Sequence, residues 1–144
     1  GGVESFTTAL PLYAGGTGTE EDPFQISNWR HLQNISQNLA NYKYFVLINN
    51  LDSETEGYDT YASATANSGA GWRLEGIFGG YFDGLGHSIH DLVINRPTTD
   101  FVGLFSETVF GRVANLGLVN VSVVGKDYVG ALVGYKDAGT FSKI

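Results

Sequence analysis

Apolar and polar positions change their rhythm three times along the chain. Residues 1–23 are small and polar, rich in Gly and Thr, and close on the acidic turn Glu20-Glu21-Asp22-Pro23, which predicts an irregular lead-in. Phe24-Gln25-Ile26 alternates as a short strand does. Ser27 then offers an N-cap oxygen, and Trp29, Leu32, Ile35 and Leu39 fall at the three- and four-residue spacings of one apolar helix face, predicting a single helix over about 28–39. The continuous run Tyr44-Phe45-Val46-Leu47-Ile48 suits a strand buried on both faces. Residues 52–73 carry no period and read as a long polar insertion loop. Short strands punctuated by Gly, Asn or Asp follow, at Ile77–Phe82, Ser88–Ile94, Val102–Phe105, Val113–Val119, Val121–Val124 and Val129–Val133, with another starting at Phe141.

Self-similarity organises these strands. Asp100-Phe101-Val102-Gly103-Leu104-Phe105 recurs 27 residues later as Asp127-Tyr128-Val129-Gly130-Ala131-Leu132. Asp91-Leu92-Val93-Ile94-Asn95 is echoed by Asn115-Leu116-Gly117-Leu118-Val119-Asn120, giving units of about 24–28 residues with no helical period after residue 72. An all-β class is expected: a right-handed parallel β-helix, a solenoid of repeat coils over 74–144, capped at its N-terminal end by the one α-helix and forming a single domain over 24–144. An antiparallel sandwich of short strands is the competing pattern. Asn95 and Asn120 would align at one corner of successive coils. No helix follows to cover the strand starting at Phe141, so further coils or a neighbouring chain are expected at that end. The chain contains no Met and opens Gly1-Gly2, which reads as a piece of a longer protein.

Composition narrows the classes. Twenty glycines in 144 residues supply tight corners between strands. Eight Lys and Arg against 15 Asp and Glu give a net charge of -7, which argues against nucleic acid and against a polybasic membrane anchor. No apolar run approaches the ~20 residues of a membrane span. Without Cys there is no thiol nucleophile, Cys-ligated zinc or disulfide.

Tyr128-Val129-Gly130-Ala131-Leu132-Val133-Gly134-Tyr135, the earlier Val102-Gly103-Leu104-Phe105, and Phe82-Asp83-Gly84-Leu85-Gly86-His87 with Leu92-Val93-Ile94-Asn95-Arg96-Pro97 resemble the GLUG-motif repeat family. The segment from Gly16 to Trp29 is similar to the start of the β-helix in such proteins. The resemblance implies a large bacterial or archaeal surface or secreted protein of adhesin-like kind. Some relatives stand beside immunoglobulin A1-cleaving metalloprotease domains, but this chain has no His-Glu-x-x-His, so that activity does not transfer. Ser106 stands where a Gly usually closes the motif, implying an altered corner.

Three groups of residues could carry chemistry. Asp52, Glu54 and Glu56 before Gly57, with Asp59 nearby, follow the alternating oxygen spacing of a calcium loop, although Ser63 occupies the twelfth position. Calcium is therefore the only cofactor with a candidate site. Asp83, His87, His90, Asp91, Arg96 and Asp100 would be the acid and base groups of a polysaccharide-cleaving enzyme; Asp100, however, is in register with Asp127, as a structural repeat residue would be. The aromatics Tyr58, Tyr61, Trp72, Tyr81, Phe82, Phe101 and Tyr128 could line a sugar-binding strip. Tyr58, Tyr61 and Trp72, on the insertion, are the ligand-binding candidates, whereas Phe101 and Tyr128 are expected to stack on each other. The expected function is a non-catalytic, extracellular or cell-surface adhesin-like module for display or adhesion, with a host or environmental glycan or a surface protein as partner. The alternatives are a polysaccharide lyase or hydrolase on the same scaffold and a self-assembling surface filament subunit.

Overall fold

The computed structural model describes residues 10–39 and 42–144; the first nine residues of the expected lead-in lie outside it. Residues 10–23 hold no helix or strand. Strand β1 (Phe24–Ile26) leads into helix α1 (Trp29–Asn34), which tightens into a 3-10 turn at Ile35–Gln37. The cap is Asn28 and not Ser27: its Oδ1 accepts from His31 N at 2.8 Å. The helix ends before its apolar stripe does, and the Tyr13 hydroxyl meets that end, donating to either Asn34 O (3.0 Å) or Asn38 Oδ1 (2.6 Å).

After β2 (Tyr44–Leu47), the segment read as a polar loop is instead folded onto the body. It contains helix α2 (Tyr58–Tyr61) and a 3-10 turn at Ala66–Gly69, and it buries Ala62, Ala66 and Trp72. Short strands follow: β3 (Ile77–Phe78), β4 (Tyr81–Asp83), β5 (Ser88–His90), β6 (Val93–Asn95), β7 (Phe105–Val109) and β8 (Arg112–Ala114). The last are β9 (Gly117–Val119), β10 (Ser122–Val124), β11 (Val133–Asp137) and β12 (Thr140–Ser142).

The expected right-handed parallel β-helix with one capping helix is corrected by the sheet layout. The strands form four separate small sheets, ordered β1-β2-β4-β8-β12, β11-β7-β3, β10-β6 and β5-β9, with two short α-helices, and do not form a single β-helix solenoid. Parallel pairing is nevertheless the rule for the registered strands, which also excludes the antiparallel sandwich. The sheets separate because left-handed residues interrupt the chain at recurring corners: Asp91 and Asn120, Phe101 and Tyr128, Phe110 and Ala138, Asn115 and Lys143. Most corners therefore rest on non-glycine residues. The expected Asn95–Asn120 alignment is also corrected: β10 pairs Asn95 with Val124, and Asn120 Nδ2 instead donates to Asp91 Oδ1 at 2.7 Å.

Parallel register assigns each side chain of the five-stranded sheet to a row. Phe24, Phe45, Phe82, Val113 and Phe141 share the inward row. Phe45, Phe82 and Val113 are fully buried, each side chain contributing roughly 1.5–3 kcal/mol on transfer from water. No helix among the described residues is long and apolar enough to cross a membrane.

Candidate functional site

The same register builds an outward row. Because side chains alternate across a strand, the neighbours of the buried phenylalanines face out: Tyr44 stands beside Tyr81, Tyr81 beside Arg112, and Arg112 beside Thr140. The two tyrosine rings stack with centroids 5.7 Å apart and planes at 24°, and the Arg112 guanidinium lies 4.7 Å from the Tyr81 centroid. The next outward row contains Val46 and Asp83. Asp83 is held in place by its own turn, its Oδ1 accepting from Leu85 N at 2.9 Å and Asn115 Nδ2 at 3.0 Å.

The lead-in supplies the opposite wall. Tyr44 N donates to Gly18 O at 2.9 Å, and Thr17 N and Gly18 N both donate to Asp22 O, so the Glu20–Pro23 turn is fixed beside β2. Glu20, Pro23, Tyr44, Val46, Tyr81, Asp83 and Arg112 line a groove of about 400 Å³, with Phe45 at its floor. Tyr81 and Arg112 also line a second groove of about 220 Å³, reaching Thr140 and Ser142. The face thus combines aromatic surface, one cation and two carboxylates in an open channel. Such a surface suits a polyhydroxylated ligand, with apolar C–H faces against rings and hydroxyls against charged oxygens and nitrogens.

The expected ligand-binding strip is not assembled. Trp72 is fully buried, its Nε1 donating to Leu104 O at 2.8 Å, because the segment around it packs inward. The Tyr58 hydroxyl donates to Asp91 O at 2.6 Å, and Tyr58 and Tyr61 pack against the core. Burial, with Asp91 and Asp59 nearby, raises the Tyr58 pKa above the ordinary tyrosine value.

The acidic residues proposed for calcium also have local work. Asp52 Oδ1 accepts from Glu54 N (2.8 Å) and Thr55 Oγ1 (3.2 Å), an arrangement that closes a turn. Glu56 Oε2 accepts from Asn28 Nδ2 at 3.5 Å, and Asp59 lies in the first turn of α2. Among the described residues, no group of three or more His, Cys, Asp or Glu could hold a metal ion.

The acid–base cluster is likewise dispersed. Arg96 reaches back to Gly71 O (3.1 Å), Asp91 pairs with Asn120, and only Asp83 lines the groove. Tyr44, Arg112 and Glu20 were not among the expected site residues. A signal for the first two was present: Tyr44-Phe45, Tyr81-Phe82 and Arg112-Val113 repeat one outward and one inward residue at paired positions.

No family model matches the chain. No solved structure matches it either. Two relatives are similar over most of it. Halomucin of Haloquadratum walsbyi is 33% identical over 149 residues, covering 93% of this chain and 2% of halomucin. A protein of Evansella cellulosilytica, named as a Gly-rich membrane protein, is 32% identical over 123 residues, covering 82% of this chain and 13% of that protein. The chain therefore spans a small part of the length of each.

Proposed function

We propose that this chain is a rigid layered module of a surface or membrane-associated protein, serving adhesion by holding a carbohydrate in the groove over β2, β4 and β8. The observation that carries the reading is the outward row Tyr44–Tyr81–Arg112 beside Asp83, fixed by strand register on a buried aromatic row. Backbone pairing fixes where those side chains leave the sheet, and the ring stack and the Arg112–Tyr81 contact restrict their rotamers, which lowers the ordering entropy lost on binding. The name of the Evansella relative and the small share of each relative that the chain covers support a module within a long, membrane-associated protein. The same reading includes kinship with GLUG-motif repeats, supported by the parallel bridge that places Val102 beside Val129 in their two matching segments.

A glycan array of neutral and uronate-containing polysaccharides tests the assignment, comparing the chain with its Tyr81→Ala and Arg112→Ala forms. Binding that falls at least tenfold in both variants, at preserved folding, is expected. Absence of binding across neutral and acidic glycans would sink the reading. Release of reducing ends during incubation would favour a polysaccharide-cleaving enzyme acting through Glu20 and Asp83.

A further inference from the structure

The two ends of the strand layers are treated differently. At the first end, backbone from elsewhere in the chain covers the outer edges of β1, β5 and β6. Ala14 N donates to Gln25 O and Gln25 N to Gly15 O along β1; Leu51 bonds both ways to β5 through Ser88 O and His90 N; Val93 N on β6 donates to Ala62 O. At the other end β9, β10, β11 and β12 are each the terminal strand of their own sheet. Their outer backbone edges all face off the same end.

The inward side chains of these strands carry the same asymmetry. Leu118 stands on Ile89, Val123 on Ile94, Val133 on Phe105 and Phe141 on Val113. The earlier member of every pair is at most 1% exposed, whereas each later one is only partly buried. Row, direction and chemistry are shared; what differs is the covering layer. Tyr128, stacked on Phe101, is likewise 56% exposed.

We propose that this end is an interaction surface for one further layer of parallel strands, supplied by a polypeptide segment with the row pattern of residues 117–144. The segment would place apolar side chains over Leu118, Val123, Val133 and Phe141 and a ring over Tyr128, continuing the layer interface already formed beneath them. A second whole copy fits poorly. Stacked head to tail, it would offer edges already bonded to its own Ala14, Gly15, Leu51 and Ala62 backbone. Stacked tail to tail, its strands would lose the parallel register that aligns the rows.

The test appends a second copy of residues 117–144 directly after Ile144, close to the 28-residue offset that relates Arg112 to Thr140. Amide exchange in β9, β10, β11 and β12 is expected to slow at least tenfold, while exchange in β2 and β4 stays unchanged. A control copy with Lys at the positions matching Leu118, Val123, Val133 and Phe141 should give no protection. As a second measurement, a synthetic 117–144 peptide added in trans to the unmodified chain should protect the same amides in a saturable way. Unchanged exchange in both formats, or equal protection by the lysine copy, would overturn the proposal. Protection that appears in the unmodified chain alone as its concentration rises, together with sedimentation as a dimer, would also overturn it by making a second copy the occupant.

Discussion

The rings of Phe101 and Tyr128 stack 5.0 Å apart with planes 4° from parallel, and Tyr135 stands edge-on to both at 6.0 and 5.5 Å. Both stacked residues occupy left-handed backbone, at φ 58° and 57°. Ring contact thus helps to hold two corners that bulky residues otherwise avoid. A double-mutant cycle with Phe101→Leu and Tyr128→Leu, read by urea unfolding, should give a coupling energy of about 0.5–1.5 kcal/mol. Additive effects would mean that the corners stand without the stack.

Trp72 and Trp29 form a buried edge contact with centroids 6.0 Å apart, and their indole N–H groups donate to Leu104 O (2.8 Å) and Asp52 O (2.9 Å). Their fluorescence should therefore resist iodide quenching. Trp72→Phe leaves the Leu104 carbonyl without its donor and should cost about 1–3 kcal/mol in unfolding free energy. Glycan affinity of the folded variant should stay unchanged; a selective loss of affinity would return Trp72 to the binding surface.

Ser106 sits within β7, away from any corner. It is 4% exposed, and its hydroxyl donates to Leu74 O at 2.7 Å, a bond that a glycine at this position could not make. Ser106→Ala should destabilise by about 1–3 kcal/mol, and Ser106→Gly by roughly 0.5–1 kcal/mol more through added backbone freedom. Gly134→Ala should exceed both, since its new Cβ would lie 2.6 Å from Ser106 O and Val102 N. Chemical denaturation of the three variants gives the order directly.

The strand content after residue 72, the helix face led by Trp29 and the Phe101–Tyr128 stack were legible because they follow from local periodicity and from one strong repeat. The division into four sheets was not. It depends on Asp91, Phe110, Asn115 and Lys143 adopting left-handed backbone, a choice that composition assigns first to glycine. The weaker echo of Asp91 to Asn95 suggested a shorter offset than the register of β6 and β10, and so the wrong partner for Asn120. Trp72 looked like a surface aromatic because its segment lacks periodicity, yet α2 and the following turn fold it inward. The groove depends on tertiary placement, because Tyr44, Tyr81 and Arg112, 37 and 31 residues apart in the chain, come together only through strand pairing.

His31 provides the chain's pH test. It is 5% exposed in α1, and its Nδ1 accepts from Ser27 N at 3.1 Å, an arrangement that requires the neutral ring. Burial lowers its pKa below the ordinary 6.5, with Arg30 adding to the effect and Glu56 opposing it. Below about pH 6.5 the unfolded chain therefore takes up a proton that the folded chain resists. The stabilisation is complete above that pH and declines as pH falls toward the lowered folded value. For this one proton the slope reaches at most about 1.4 kcal/mol per pH unit. Asp91, whose carboxyl is held low chiefly by Asn120, loses its own contribution only as pH falls below about its ordinary 3.8, outside the range scanned next. Urea midpoints from pH 7.5 to 5 should fall in the wild type and stay flatter in His31→Gln. Parallel slopes in the two proteins would show that the His31 proton is not linked to folding.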